Sequence, residues 1–275
     1  MSDSLSGGAD ARGGPANRGD TGSAPTQACI TVSVVSHGHD DDIARLLKEI
    51  ALSASGRIAR VVVTHNLKPV RPLDDWPSHE GVVEVVHQIN SAPQGFARNH
   101  NHAFSFCETP FFCVLNPDVH GISATLWDAL SHAAAQPGVA CAYPALRNVD
   151  GTVQDNQRAL LTPFGLWRRR VRGQRETQTD WVSAACWLVP APVWRSVGGF
   201  DEGFRMYVED AQWCLRAQLA GLRLVQVPVA LMHVGQRASR RRWRYLAWHL
   251  FSLLRLWCQP VFYAYLRARN AELRQ

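Results

Sequence analysis

The chain has 275 residues, 46% of them apolar and 19% charged, the composition of an ordinary globular protein able to bury one large core. Its net charge of +6 is concentrated at one end: residues 237 to 275 carry nine Arg against the single acid Glu272, leaving 20 basic and 22 acidic side chains for the rest. A nucleic-acid enzyme more often spreads positive charge over a groove, so no nucleic-acid partner is expected. A terminal basic stretch mixed with Trp, Leu and Tyr suits an anionic membrane surface instead.

The seven Cys form no C-x-x-C pair and are odd in number, which argues against a zinc module or a disulfide framework and fits a reducing cytoplasm. No basic segment followed by an apolar one opens the chain, so no secretory signal is expected. Residues 1 to 27, rich in Gly, Ser, Asp, Ala and Pro without apolar periodicity, are expected to be disordered. Residues 28 to 236 read as the folded domain and 237 to 275 as a basic, aromatic helical tail.

In chain order the pattern predicts a strand over 30–36, a polar loop over 37–42, and a helix with Ile43, Leu46, Leu47 and Ile50 on one face, capped by the Asp40 to Asp42 run. Strands follow over 60–64 and 82–86, then a helix over 96–106, a buried strand over 111–115, a helix over 123–135 and a strand over 139–143. Residues 147 to 179 show no clear periodicity and carry Arg168, Arg169, Arg170, Arg172 and Arg175, so a mobile loop able to close over an anion is expected. A strand over 181–189, a short helix opened by Pro192, a helix over 209–220 stopped by Gly221 and a last strand over 222–227 complete the body. Such alternation implies an α/β fold with a mostly parallel sheet and helices on both faces. Ligands then sit beyond the carboxyl ends of the strands, where Ser36-His37, His65-Asn66 and Asn116-Pro117-Asp118 fall.

Two acidic clusters carry the chemistry. Asp118 emerges just after an apolar strand, and Mg²⁺ or Mn²⁺ needs only one or two protein carboxylates when substrate phosphates supply further oxygens; the plainer reading is a solvated Asx-Pro turn. Glu209-Asp210 opens a helix, where acids are stabilised without any function. Neighbouring side chains on a helix point different ways, so one of the two aims into the cleft: Asp210 is the expected base, with Glu209 binding acceptor or supporting the loop. His233 follows the apolar stretch 227–232 and can ligate a metal or, protonated, touch a diphosphate, although a lone His after a strand is commonly structural. Gly95 to Asn101 opens a helix with a Gly and polar groups, a donor-phosphate or sugar contact or simply a capped helix.

Taken in order and spacing, residues 30–36, 95–101, 115–118, 181–185, 199–210 and 227–235 resemble family 2 glycosyltransferases, most closely the bacterial rhamnosyltransferase-type branch, over about 30 to 236. The most specific piece is Gly199-Phe200-Asp201-Glu202 continuing to Tyr207-Val208-Glu209-Asp210, followed by Leu115-Asn116-Pro117-Asp118. The resemblance implies a GT-A fold, a Rossmann-like, mostly parallel sheet flanked by helices, with a nucleotide-sugar donor, Mg²⁺ or Mn²⁺, and inverting transfer. It makes Asp118 the metal-binding acid, with Asn116 where many relatives have Asp, and Asp210 the catalytic base. Asn101 ends the Gly-rich donor motif, His233 helps hold metal or diphosphate, and Trp181 and Ser183 line the acceptor side. The chain departs from the pattern at His37-Gly38, where relatives have Tyr-Asn, at His65-Asn66, where they have Asp-Asn, and at His100; the nucleotide is left open by the second of these.

The tail after Arg240-Arg241-Arg242-Trp243-Arg244 is apolar and aromatic over 245–266 but interrupted by His249, Arg255 and Pro260. It is expected to lie in a membrane interface rather than span it, a helix packed on the body or a dimer contact being the alternative. The whole reads as an inverting, metal-dependent glycosyltransferase at the cytoplasmic face of the inner membrane, moving rhamnose or another deoxyhexose to a surface glycan or a lipid-linked acceptor. A sugar nucleotidyltransferase and a catalytically inactive nucleotide-sugar-binding or scaffold protein are the alternatives.

Overall fold

The computed structural model describes residues 29–54, 56–72, 76, 84–173, 178–235 and 243–272. The expected disorder of residues 1 to 27 and the Arg240–Arg242 cluster lie outside the described residues. The first half alternates strand and helix: β1 (Ile30–Ser36), α1 (Asp40–Ser53), β2 (Ile58–His65), β3 (Glu84–Ile89), α2 (Phe96–Phe104), β4 (Phe111–Leu115), β5 (Val119–His120), α3 (Ala124–Ala134) and β6 (Val139–Arg147). The second half adds β7 (Gln157–Arg158), α4 (Pro163–Arg172), β8 (Trp181–Val182), β9 (Cys186–Pro190), α5 (Ala191–Val197), α6 (Glu209–Leu219), β10 (Arg223–His233), α7 (Trp243–Trp257) and α8 (Pro260–Glu272).

Eight strands form one sheet in the order β3-β2-β1-β4-β9-β6-β10-β5, and β7 and β8 pair separately. The β3-β2-β1-β4 block is parallel, β9 runs antiparallel between β4 and β6, and β10 is parallel to β6. Side chains of a strand alternate between the two faces, and the two cores follow that alternation. Val32, Val34, Cys113, Leu115 and Leu188 pack under α1 and α3, whereas Phe112, Val114, Trp187 and Val189 pack against α2, α5, α6 and the tail helices. The result is a mixed, mostly parallel sheet flanked by helices on both faces.

Several boundaries differ from the sequence expectation for identifiable reasons. Asp40 to Asp42 occupy the first turn of α1 but supply no side-chain cap; the N-cap is His39, and Asp40 accepts the backbone N–H groups of Val70 and Arg71 at 2.8 and 3.2 Å. The single strand expected over 181–189 is broken at 183–185, and the last strand runs on to His233 because β6 and β5 flank it there. Within 147–179, residues 163–172 are helical: Thr162 caps α4 by accepting from Gly165 at 3.0 Å, Pro163 opens it and Gly173 closes it with φ of 61°.

The described part of the tail is docked on the body. Leu253, Leu256, Phe262 and Tyr265 are buried. Arg255 and Gln259 hold Asp201, Trp257 donates to the Leu161 carbonyl at 2.7 Å, and Tyr265 donates to Asp180 at 3.0 Å. No helix among the described residues is long and apolar enough to cross a membrane.

Candidate active site

The carboxyl ends of β1, β2, β4, β6 and β10 share one rim with the start of the antiparallel β9, and the two acidic clusters meet there. Asn116 donates its backbone N–H to the Ala185 carbonyl at 2.8 Å, and Ala184 donates its backbone N–H to Asp210 Oδ2 at 3.4 Å. The Asn116 backbone and the Asp210 carboxylate are therefore both bonded to the short 183–185 connection that interrupts the strand. Pairing of β5 with the end of β10 brings Asp118 to His233, with Oδ1 and Nε2 3.2 Å apart.

Gln154 fixes the His233 ring. Its amide nitrogen donates to the His233 carbonyl at 2.6 Å and to Asn148 Oδ1 at 3.0 Å, so its oxygen is the atom facing His233 Nδ1 at 2.9 Å. That places a proton on Nδ1 and turns Nε2 toward the Asp118 oxygen. Burial opposes ionisation of Asp118, but the His233 hydrogen bond and charge outweigh it and hold the carboxyl below its ordinary range. Arg45 and Glu49, one turn apart on α1, brace this loop: Arg45 donates to the Pro117 carbonyl at 2.8 Å and Glu49 accepts from Gly121 and Ile122.

Asp210 is half-buried and accepts from Ala211 N–H at 2.8 Å through its other oxygen. Burial pushes its carboxyl above the usual aspartate range against the pull of these N–H groups and of Arg158. Glu209 is 4% exposed with Oε2 unpartnered, and burial together with the neighbouring Asp210 charge raises it further. Tyr207 and Val208 lead into α6 with φ of 71° and 74°, an unusual conformation for non-glycine residues that stores strain beside the acidic pair.

Other sequence candidates take structural positions. Glu209 is too buried to bind an acceptor and supports the loop. His65 is fully buried, packed against Trp76 and 2.9 Å from His87, and burial lowers its pKa to about 4. Asn66 uses its whole amide: it donates to Gln94 O and contacts His37 Nδ1, and it accepts from Asn90 and Gln94 N–H. Asn101 likewise exchanges two hydrogen bonds with the Phe200 backbone, at 2.8 and 2.9 Å, and donates to Glu202. Gly95 is required for close approach, since a Cβ there would stand 2.6 Å from the Arg205 carbonyl, which accepts Phe96 N–H. Ser36 is buried and accepts from His39 N–H, and Trp181 is buried with its indole on the Ala159 carbonyl. His37, Asn116, Asp118, Ser183, Asp210 and His233 keep exposed or half-buried side chains on the rim.

The residues that sequence reasoning missed are Gln154, Arg158, Arg45 and Glu49. Only the i, i+4 spacing of Arg45 and Glu49 was a usable signal; Gln154 and Arg158 sit in a stretch without periodicity.

No protein-family model matches the chain. It is 26% identical over 247 residues to rhamnosyltransferase WbbL of Escherichia coli K12, covering 82% of this chain and 91% of that protein. It is 34% identical over 157 residues to the N-acetylglucosaminyl-diphospho-decaprenol L-rhamnosyltransferase of Mycobacterium tuberculosis, covering 50% and 51% of the two chains. Among solved structures, the mannosyltransferase PcManGT of Pyrobaculum calidifontis, in complex with GDP-Man and Mn²⁺, superposes with a TM-score of 0.59 at 16% identity over 90% of this chain and 77% of that one. TarS 1-349 of S. aureus gives 0.52 at 14% identity over 76% and 58%. The chain is rhamnosyltransferase-like in sequence and shares its fold with glycosyltransferases.

Proposed function

We propose that this glycosyltransferase moves a sugar, rhamnose or another deoxyhexose, from a nucleoside diphosphate donor to a cell-surface glycan or lipid-linked acceptor, with inversion, at the cytoplasmic face of the inner membrane. The observation that carries the proposal is that the 183–185 connection bonds both the Asp210 carboxylate and the backbone of the loop that carries Asp118, whose carboxylate lies 3.2 Å from His233.

A divalent ion fits the first pair. One carboxylate and one imidazole, oriented by Gln154, face each other at 3.2 Å, and no larger His/Cys/Asp/Glu cluster occurs among the described residues. Mg²⁺ and Mn²⁺ commonly take only one or two protein ligands, with substrate oxygens and water completing the shell. When bound, the ion would offset charge on the departing diphosphate. Asn116 stands two residues away on the same loop, a neutral polar group able to touch donor oxygens. Exposed His37 lies on the same rim.

Asp210 is the proposed base. Ala211 N–H holds Oδ1 at 2.8 Å, and the longer 3.4 Å contact from Ala184 leaves Oδ2 the more available to take a proton from the attacking hydroxyl. As that proton leaves, the hydroxyl oxygen bonds to the anomeric carbon and the bond to the diphosphate oxygen breaks on the opposite face, which inverts the centre. Glu209, buried and held toward its neutral form, supplies no competing negative charge, so the pair carries one charge and that charge is on Asp210. Ser183, half-buried on the connection, lines the acceptor side.

Incubation with a panel of nucleotide sugars and Mn²⁺ tests the reading. Nucleoside diphosphate and free or transferred sugar should appear. Pyrophosphate in their place would mark a nucleotidyltransferase, and donor binding without turnover a sugar-nucleotide-binding protein.

A further inference from the structure

Two neighbouring helices turn apolar side chains to solvent among arginines. On α4, Phe164, Trp167 and Val171 fall on one stripe and are 65%, 48% and 63% exposed, and no residue of the helix is buried. The Phe164 and Trp167 rings stack at 5.9 Å, and the Arg168 and Arg172 guanidinium groups lie 5.8 and 5.5 Å from the Phe164 and Trp167 ring centres. Arg169, on the inner side, pairs with Asp155. On α7, Leu246, Leu250, Phe251 and Leu254 make a second stripe, each more than half exposed, while Leu253 and Leu256 anchor the helix in the body. The helices adjoin where Trp257 of α7 donates to the carbonyl of Leu161, the residue before the α4 cap.

Neither helix contains an acid, and the sequence around them adds Arg237, Arg240 to Arg242 and Arg244. An exposed apolar stripe bordered by cations and free of acids is complementary to a surface with an apolar interior and an anionic face. Residues 1 to 27 cannot fill the stripes, because Leu5 is their one large apolar side chain beyond Met1.

We propose that α4 and α7 together dock this protein onto an anionic phospholipid bilayer, with Phe164, Trp167, Leu250, Phe251 and Leu254 entering the headgroup region. The helices lie in the interface and do not span it. The surface adjoins the candidate site: β7 leads into α4, and the charge of its Arg158 acts on Asp210. A lipid-borne acceptor would therefore reach Asp210 from the docked side. That consequence rests on the proposed transfer reaction; the docking does not.

Sedimentation of the full chain with vesicles, without donor or acceptor, tests the docking. The protein should pellet with vesicles containing phosphatidylglycerol and not with pure phosphatidylcholine, and added NaCl should release it. The pairs F164S/W167S and L250S/L254S should each lower the partition coefficient about tenfold or more, since each removes two buried apolar anchors. Melting temperature and donor hydrolysis should stay near wild type, showing that fold and site persist. Pelleting of F164S/W167S equal to wild type would remove α4 from the surface, and absence of wild-type binding to anionic vesicles would overturn the proposal. So would a concentration-dependent dimer dispersed by the same substitutions, which would assign the face to a second copy of the chain.

Discussion

His233 Nε2 stands 3.2 Å from Asp118 Oδ1 although the two residues are 115 positions apart, because β5 and the end of β10 pair antiparallel beside them. The contact is where the fold brings a loop carboxylate to the last residue of β10, the two side chains proposed to hold a cation. Gln154 holds the imidazole from behind.

Removing that support should weaken metal binding without removing a ligand. We predict that Gln154→Ala raises the apparent Kd for Mn²⁺ about 10- to 100-fold, the usual range for a lost outer hydrogen bond to a ligating His, and that His233→Ala costs more. Titration calorimetry with nucleotide present reads both.

Asp210→Asn should lower kcat about 10² to 10⁴-fold and leave folding intact. The base acts ionised, so the wild-type rate should rise with pH through the Asp210 titration, and burial places that rise above the ordinary aspartate range. A pH profile of turnover, flat on the acid side in the variant, is the check.

Glu209 gives a stability prediction of the opposite sign from most carboxylates. Its folded pKa is raised, first by burial and then by Asp210, so its favourable contribution is present below the unfolded value and is lost as pH rises through the folded one. Glu209→Gln should therefore leave the melting temperature unchanged near pH ~4 and raise it near pH ~9. Thermal melts across that window read the difference.

Asn101→Ala should destabilise the protein by about 2 kcal/mol in urea unfolding, because it orphans both the N–H and the C=O of buried Phe200. The Gly199–Glu202 loop would lose its clasp to α2.

Much of this was readable from the chain. Apolar runs and helical spacing announce β1, β4, α1 and α6, since each buries a face whose periodicity the sequence must carry. The helix α4 did not announce itself because it buries nothing, although Thr162-Pro163 and Gly173 mark both its ends. The acidic clusters at Asp118 and Asp210 were visible as clusters; that Ala184 and Ala185 bond to both sides of the site was not. For Asn66 and Asn101 the sequence shows amides beside a crevice, but their hydrogen-bonding capacity is taken by partners 28 and 99 residues away. The same holds for His65, whose burial depends on Trp76 and His87 arriving from other segments.

Titration of Mn²⁺ with a bound nucleotide sugar into wild type, Asp118→Asn and Asp210→Asn separates the two halves of the site most directly. We predict that wild type and Asp210→Asn bind the ion and donor alike, with only wild type turning over, and that Asp118→Asn loses metal-dependent donor binding. Unimpaired metal-dependent binding in Asp118→Asn, or wild-type turnover in Asp210→Asn, would contradict the assignment of a cation at Asp118 facing a base at Asp210.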